Sequence, residues 1–297
     1  MTTFLGIIPI LALLVNATGV ASAQTVHKSG LVMLTEPSGA RSAAMAGAIV
    51  SINDDQTAIY ANPSSVALLT KKDFVLTHQS GIAGISQFQS GWAYGTGKVG
   101  LGLSLDIHSA GGFETRTGPS LNPVGTFNLF EFNAAFTYGQ RLSSGLYGGF
   151  TTRFLHEDLE ADRASGFGLD IGLTYRQPES PLSIGASILN LGKMAELDQV
   201  ASSLPRKIRV GISWEHATFL VSSDYRIPRF GSSSLHVGGE VTPVPALAVR
   251  FGYQSGHDTR TMSYGLGLRR RNWRIDYAFV PSDLGLDDSH CVTLGIR

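Results

Sequence analysis

A period of two in hydrophobicity constrains the fold of this chain more than any other feature. Between Lys98 and His108 every odd position is apolar, and every even position is Lys, Gly, Ser, Asp or His. The same alternation returns at residues 167–176, 208–215 and 247–254. Such a pattern places one face of a strand against an apolar environment and the other against a polar one. The chain from Asp73 onward is therefore predicted to be all-β.

Strand length and loop length predict how these strands are arranged. About fourteen segments of about ten residues can be counted, and the number is even, as in outer-membrane barrels. The predicted strands are 73–81, 85–95, 97–107, 126–140, 144–157, 164–177, 181–190, 206–216, 217–227, 232–242, 245–255, 260–270, 272–281 and 288–297. Connections after even strands are tight, whereas several after odd strands are long, such as His108 to Gly125 and Leu191 to Pro205. This asymmetry predicts a transmembrane antiparallel up-and-down β-barrel with both termini on the periplasmic side.

Aromatic residues on the apolar face separate a barrel from a soluble sandwich, which would alternate in the same way. They gather toward both ends of the strands, as expected for the two aromatic girdles of a spanning barrel. The residues near the short turns are Tyr94, Tyr138, Tyr175, Trp214, Phe219 and Trp273. Those near the far ends are Phe88, Phe154, Phe167, Tyr225, Tyr253 and Phe279.

The opposite, polar face carries acidic and basic residues in near balance. In a barrel this face lines the lumen, where a charge is costly unless a partner neutralises it. We expect these charges to pair across strands or to hold a plug. They are Asp106, Glu131, Arg153, Asp170, Arg176, Arg209, Glu215, Asp224, Arg226, Glu240, Arg250, Arg269, Arg274 and Asp276.

The stretch from Gly39 to Leu69 differs from the rest of the chain because it is rich in small residues and does not alternate. Small side chains let backbones approach closely, so we predict that this stretch packs inside the barrel. The alternative is an exposed arm with one amphipathic helix, Ala43 to Val50. The predicted domains are a signal peptide at 1–23, a hatch at 24–70 and an outer-membrane barrel at 71–297.

The first 23 residues have the pattern of an export signal. An apolar run from Phe4 to Val15 leads to Ala21-Ser22-Ala23, an A-x-A cleavage pattern, although Met1 to Phe4 carry no Lys or Arg. The run is too short for a spanning helix. We therefore predict export through a cleavable signal peptide to the cell outer membrane.

Few features of the sequence suggest catalysis or a cofactor. The 23 basic and 23 acidic residues cancel, which gives no indication of a nucleic-acid partner. The lone Cys291 excludes an intrachain disulfide and a Cys-based zinc site, and no two of the eight His residues have i, i+4 spacing. Gly95, Gly97 and Gly100 match G-x-G-x-x-G, but a strand follows them, so they predict a hairpin turn. We predict no enzyme activity and no cofactor.

The sequence GARSAAMAGAIVSINDDQTAIYANPSSVALL, residues 39–69, resembles the N-terminal segment of the PorV/PorQ family of outer-membrane proteins. That family is related to the FadL-type channels for hydrophobic compounds, whose fourteen-stranded barrels hold an N-terminal hatch. The matching positions are Gly39, Ala40, Arg41, Asp54, Asp55, Asn62 and Pro63. Residues 279–297 look like the last hairpin of the family, although the chain printed here ends in Ile296-Arg297 rather than an aromatic residue.

The resemblance implies two functions. PorV-like members serve type IX secretion, where they dock exported cargo proteins and hand them to a surface complex, and this is the first expectation. The alternative is a FadL-type uptake channel for a hydrophobic small molecule. The Gly- and Pro-rich segment His108 to Gly125 has one aromatic residue, which favours cargo docking over an apolar pocket for uptake.

Overall fold

The computed structural model describes residues 31–81, 84–116, 118–119, 122–159, 162–197, 200–256, 259–283, 285 and 287–297. The predicted signal peptide lies outside these ranges. The strands are β1 (Lys72–Ser80), β2 (Ser86–Gly95), β3 (Val99–Thr115), β4 (Gly125–Ser143), β5 (Leu146–Leu159), β6 (Asp162–Arg176), β7 (Leu182–Leu197), β8 (Val200–Ser203), β9 (Lys207–His216), β10 (Phe219–Pro228), β11 (Ser234–Val244), β12 (Leu247–Gln254), β13 (Met262–Arg270), β14 (Trp273–Val280) and β15 (Ser289–Ile296).

Fourteen of these strands close into a ring. Each strand from β1 to β7 and from β9 to β15 pairs antiparallel with its neighbours, β7 pairs with β9, and β1 pairs with β15. The short strand β8 pairs only with the end of β7 in the described part of the chain. The predicted closed, nearly all-β barrel of fourteen antiparallel strands is confirmed.

The facing of the strands follows the period of two. In β3, Leu101, Leu103 and Leu105 are 39%, 54% and 50% exposed on the outside, whereas Asp106 and His108 are buried inside. All twelve aromatic residues of the two predicted girdles occupy outward positions and are half-buried or exposed. The barrel therefore has an apolar outer surface and a polar inner surface.

Two strands on the long-loop side extend further than their sequences predict. The predicted loop from His108 to Gly125 is wrong in its first half, because β3 continues to Thr115 and pairs with β4 beyond a register shift at Ala110–Phe113. The predicted loop from Leu191 to Pro205 is likewise wrong, since β7 continues to Leu197 and forms a hairpin with β8. Gly and Pro in these segments conceal the alternation, while backbone pairing with a neighbouring strand keeps them extended.

The interior of the barrel holds the described part of the hatch, residues 31–70. It contains α1 (Ala40–Ala44) and three short 3-10 helices, Val32–Leu34, Gln56–Tyr60 and Pro63–Leu68. Residues 39–53 are all buried. The alternative of an exposed arm with a helix from Ala43 to Val50 is therefore wrong. None of the helices in the described ranges has the length and apolar character needed to cross a membrane.

Candidate functional site

The Asn62-Pro63 turn fixes one end of the hatch to the barrel wall. Asn62 is extended, with φ −155° and ψ 108°, as expected for a residue before proline. Its Oδ1 accepts a hydrogen bond from the Ser64 backbone N–H at 3.2 Å, which begins the 3-10 helix. Its Nδ2 donates to the carbonyl oxygens of Val50 and Leu173, at 2.9 and 3.0 Å. One fully buried amide thus joins two parts of the hatch to strand β6.

Glycines on the inner wall mark where the hatch backbone touches the strands. A Cβ atom on Gly139 would lie 2.8 Å from Cγ1 of Val66, and one on Gly149 would lie 2.7 Å from the Pro63 carbonyl oxygen. A Cβ atom on Gly100 or Gly185 would overlap the hatch backbone at Val66 or Val50. Only glycine admits a backbone this close. These inward glycines were a signal in the sequence that the analysis of alternation overlooked.

The start of the hatch is held by the strands beside the barrel closure. The Gly39 N–H donates to Gln89 Oε1 at 3.1 Å, and the Ala40 N–H donates to Thr293 Oγ1 at 2.8 Å. Gly39 has φ +82°, a region that favours glycine. These bonds satisfy two of the unpaired N–H groups at the beginning of α1.

Arg41 is the centre of a buried ionic network. Its Nε donates to Glu240 Oε2 at 2.8 Å, and its Nη1 donates to Asp54 Oδ1 at 2.7 Å. Arg250 in turn bonds Glu240 at 2.6 Å and Asp276 at 2.6 Å. The network therefore joins two turns of the hatch to strands β11, β12 and β14, as the charge balance of the polar face predicts.

A third arginine, Arg274, extends the network to Asp55 and Asp73. Arg274 lies 3.1 Å from Asp55 Oδ1 and 3.3 Å from Asp73 Oδ2. Asp55 Oδ1 also accepts a hydrogen bond from the Thr57 N–H at 2.8 Å, and Asp73 accepts one from the Gln56 N–H at 3.1 Å. Sequence analysis missed Asp73, because its position at the start of β1 looked like an ordinary strand end.

The network shifts the protonation of the hatch carboxyl groups. Burial disfavours the charged form of Asp54, but the Arg41 guanidinium favours it more strongly and lowers the pKa of Asp54 to about 2. Burial is likewise outweighed at Asp55, where Arg274 and Arg41 hold the pKa well below its usual range. Both side chains are therefore ionised throughout the physiological range of pH.

Asp224 binds the middle of the hatch from strand β10. Its carboxylate accepts hydrogen bonds from the backbone N–H groups of Ile49 and Val50, each at 3.1 Å, and pairs with Arg209. Arg209 also donates to the Gly47 carbonyl oxygen at 2.7 Å. Arg226 donates to the same carbonyl oxygen at 2.5 Å. This cluster therefore binds backbone groups of residues 47–50, beyond the end of α1, to strands β9 and β10.

The remaining charges lie on the other side of the lumen or at its rim. The Tyr60 hydroxyl donates to Asp106 at 2.7 Å, the Met33 N–H donates to Glu131 at 3.1 Å, and Arg153 bonds Asp170 with its Nε at 2.8 Å. Arg176 pairs with Glu215 in an exposed bridge at 2.9 Å near the short turns. Arg269 reaches only 4.0 Å from Glu240. These two arginines do not contact the hatch through any bond described here.

The hatch separates two cavities. One, of about 350 Å³, lies on the long-loop side between residues 35–46 of the hatch and strands β1–β3, β10 and β12–β15. The other, of about 540 Å³, lies on the short-turn side and is lined by Asp54, Lys71, Lys72 and Arg297 among others. The hatch lies between them, and a small pocket of about 40 Å³ lies beside Tyr60. The hatch therefore occupies the lumen between the two larger cavities.

No group of three or more His, Cys, Asp or Glu side chains within the described ranges is arranged to hold a metal ion. The clusters of Asp and Arg described above are ion pairs. The interior is built for holding the hatch and enclosing two cavities.

No protein-family model and no curated protein matches this chain. Among solved structures, it is similar to the toluene transporter TbuX of Ralstonia pickettii, with a TM-score of 0.65 and 16% identity over 87% of this chain and 98% of the transporter. The toluene transporter TodX of Pseudomonas putida matches with a TM-score of 0.66 and 12% identity over 91% of this chain and 98% of its own. A FadL homologue of Pseudomonas aeruginosa matches with a TM-score of 0.63 and 10% identity over 86% of this chain and 97% of its own. These similarities show a shared fold, that of the FadL-type barrels, and give no support to a PorV/PorQ relationship.

Proposed function

We propose that this chain is an outer-membrane channel for the uptake of hydrophobic small molecules, and that it is not an enzyme. The observation that carries the proposal is a closed barrel whose lumen is divided by a hatch of its own, with a cavity on each side. TbuX and TodX, which share the fold, are described as toluene transporters. Uptake was the alternative in the sequence analysis.

The outer surface supports insertion in a membrane. Large apolar side chains are exposed on every strand of the ring, a continuous apolar surface that soluble monomers do not carry. The predicted signal peptide would export the chain, and the outer membrane is the compartment in which such barrels insert. We expect the protein to fractionate with outer membrane and to migrate faster unheated than boiled on a gel.

One pair of variants on strand β3 tests this placement. Leu103→Arg puts a charge on the outward face near the middle of the strand and should cost about 2–4 kcal/mol of stability in lipid. Ser104→Arg turns inward, toward the lumen, and should cost much less. Equal losses in urea titrations of the two variants in lipid vesicles would contradict the membrane placement.

The type IX secretion function, with docking of cargo proteins, stays a prediction. It depends on the resemblance of residues 39–69 and 279–297 alone, and the structural neighbours favour uptake. A binding surface for a protein partner would require a wide mouth, whereas residues 35–37 and 259–261 line one cavity at the long-loop end.

Transport itself is tested with the full chain reconstituted in phosphatidylcholine vesicles. We expect the protein to accelerate the entry of a dilute small aromatic compound, compared with vesicles that hold a barrel of unrelated fold. The same vesicles should exclude a sugar of similar size, because the hatch closes the lumen to hydrophilic solutes. No acceleration for any apolar or amphipathic probe would overturn the proposed function.

A further inference from the structure

The cavity of about 350 Å³ on the long-loop side has the size of a small-molecule site. Enclosed sites for organic ligands span about 300–1,000 Å³, so this one fits a compact molecule. The hatch forms its floor through Ala43 and Ala46, and Pro37 and Thr259 to Thr261 lie at its upper end. Ile85 and Val280 add apolar wall on opposite sides of the barrel closure.

A row of neutral polar side chains crosses one wall of this cavity. Gln79 on β1 is directly opposite Gln87 on β2, and Gln87 is directly opposite His108 on β3. All three side chains are at least nine-tenths buried. They therefore form a continuous band of amide and imidazole groups across three adjacent strands.

The three side chains have hydrogen-bonding capacity that the protein does not use. Oε1 of Gln79, Oε1 of Gln87 and Nε2 of His108 have no hydrogen-bond partner among the described residues. Buried polar groups are otherwise nearly always paired, and three neighbouring exceptions beside one cavity require a reason. Rotation of a glutamine amide exchanges its oxygen and nitrogen, so the row can accept a hydrogen bond or donate one.

The charged groups around the cavity each have at least one partner within the protein. Glu36 and Arg260 pair with each other at 3.0 Å at the upper end. Arg226 donates to the carbonyl oxygen of Gly47 in the hatch, and its Nε, like that of Arg260, has no hydrogen-bond partner among the described residues. An anionic ligand would be bound by these two arginines, whereas the Gln79, Gln87 and His108 row suits an uncharged hydrogen-bonding group.

We propose that this cavity binds a compact neutral molecule with an apolar body and a hydroxyl group, and that the row of Gln79, Gln87 and His108 hydrogen-bonds the hydroxyl. The inference rests on the proposed uptake function and makes its substrate class an aromatic alcohol or phenol rather than a pure hydrocarbon or an anion. The apolar ring would lie against Ala43, Ala46 and Val280, on the hatch side of the cavity.

The test compares three probes that share one ring: benzyl alcohol, toluene and benzoate. Binding to the full chain in detergent is measured by calorimetry, and entry into protein-containing vesicles is measured in parallel. We expect benzyl alcohol to bind about 3- to 10-fold more tightly than toluene, the effect of one hydrogen bond. Benzoate should bind more weakly than benzyl alcohol.

Two variants locate the effect. Gln87→Met and His108→Phe each remove hydrogen-bonding groups while keeping an apolar side chain of similar length, and each should reduce the preference for benzyl alcohol over toluene to less than 2-fold. Toluene binding serves as the measure of correct folding and should not weaken. The control is Gln140→Met, the same substitution at an exposed strand end, which should leave the preference intact.

Each outcome separates this inference from the function on which it rests. Equal binding of toluene and benzyl alcohol, tighter binding of benzoate, or an unchanged preference in both variants would overturn the substrate class. If toluene enters the vesicles but benzyl alcohol is not preferred over it, the substrate class is overturned and the channel function stands. If benzyl alcohol binds with the expected preference but no probe enters the vesicles, the site stands and the channel function falls.

Discussion

The two ends of the lumen differ in the inward-facing residues that the same strands place there. Toward the short turns, β2, β3 and β4 present Gly95, Gly100 and Gly139, each against hatch backbone or side chain. Toward the long loops the same three strands present Gln87, His108 and Glu131. The short-turn end of these three strands, the packed end, therefore lies against the hatch, whereas Gln87 and His108 at the other end line the cavity of about 350 Å³.

This difference shows that the size of an inward residue reports how closely the hatch approaches. Where the hatch backbone lies against a strand, a side chain has no room, and glycine is required. Where the hatch lies further from the wall, long polar side chains cover it. Gln87 and His108 line a cavity, and Glu131 accepts a hydrogen bond from the Met33 N–H. The glycines of the packed end therefore mark the closest contact between the hatch and the wall.

The variant with the largest expected effect removes the hatch segment that contacts the packed end. Deletion of residues 39–65 takes away the hatch contacts while leaving the fourteen strands and their pairing. A lumen of this strand number is too wide for its own side chains to fill, so we expect an inserted barrel with raised conductance in planar bilayers. Such a barrel should also admit small hydrophilic solutes. A deletion variant that stays closed would show that the wall charges alone block the lumen.

Removing one arginine from the buried ionic network should have a smaller effect than the deletion. Arg41→Met leaves Asp54 and part of Glu240 without their buried partner, which should weaken the closed hatch by about 3 kcal/mol, the lower end for a broken buried pair. Glu240 keeps Arg250, which limits the loss. We expect more frequent open events in planar bilayers, by on the order of 100-fold.

The matched control for that change is Arg176→Met. Its ion pair with Glu215 is exposed, so removing it should cost about 0–1 kcal/mol and leave the frequency of open events nearly unchanged. Similar effects of the two substitutions would mean that the buried network does not hold the hatch.

The sequence predicts the barrel well and the hatch only in part. Alternation predicts whether residues such as Leu103 and Asp106 face outward or inward, because successive side chains of a strand point to opposite faces along its whole length. The hatch offers no such repetition: α1 is only five residues long, and at and beyond its end Ser263 binds Ala44 and Ala46 from the distant strand β13. The balance of lumenal charges predicts that they pair across strands or hold a plug, but no pattern identifies Glu240 or Arg274 as the partners of Arg41 and Asp55. The pair between Arg41 and Asp54, both in the hatch, was not predicted.

Adding a side chain where the wall contacts the hatch should lower the stability of the protein, by an amount between the effects of Arg41→Met and Arg176→Met. Gly185→Leu places a side chain where the Val50 carbonyl oxygen lies, and overpacking of this kind costs about 1–3 kcal/mol. Gly239→Leu is the control, because the space beside Gly239 is open. Urea denaturation in vesicles should show the loss for Gly185→Leu alone, and equal stability of both variants would mean that the hatch yields at this contact.

We expect the smallest effect from acid, which should loosen the hatch at the packed end only at low pH. Asp54 and Asp55 have pKa values below the usual value of about 4, so their contribution is fully present above that pH and is lost as pH falls through the lowered values, which for Asp54 is about 2. We therefore expect the conductance of the closed channel to stay constant from pH 8 to pH 5 and to rise only below about pH 3. Arg41→Met removes the charge that lowers the pKa of Asp54, so the same rise should begin at a higher pH in that variant. A channel that opens near pH 6 would place its control in a histidine, such as His236, which bonds the Ala46 carbonyl oxygen at 2.7 Å, rather than in the hatch carboxylates.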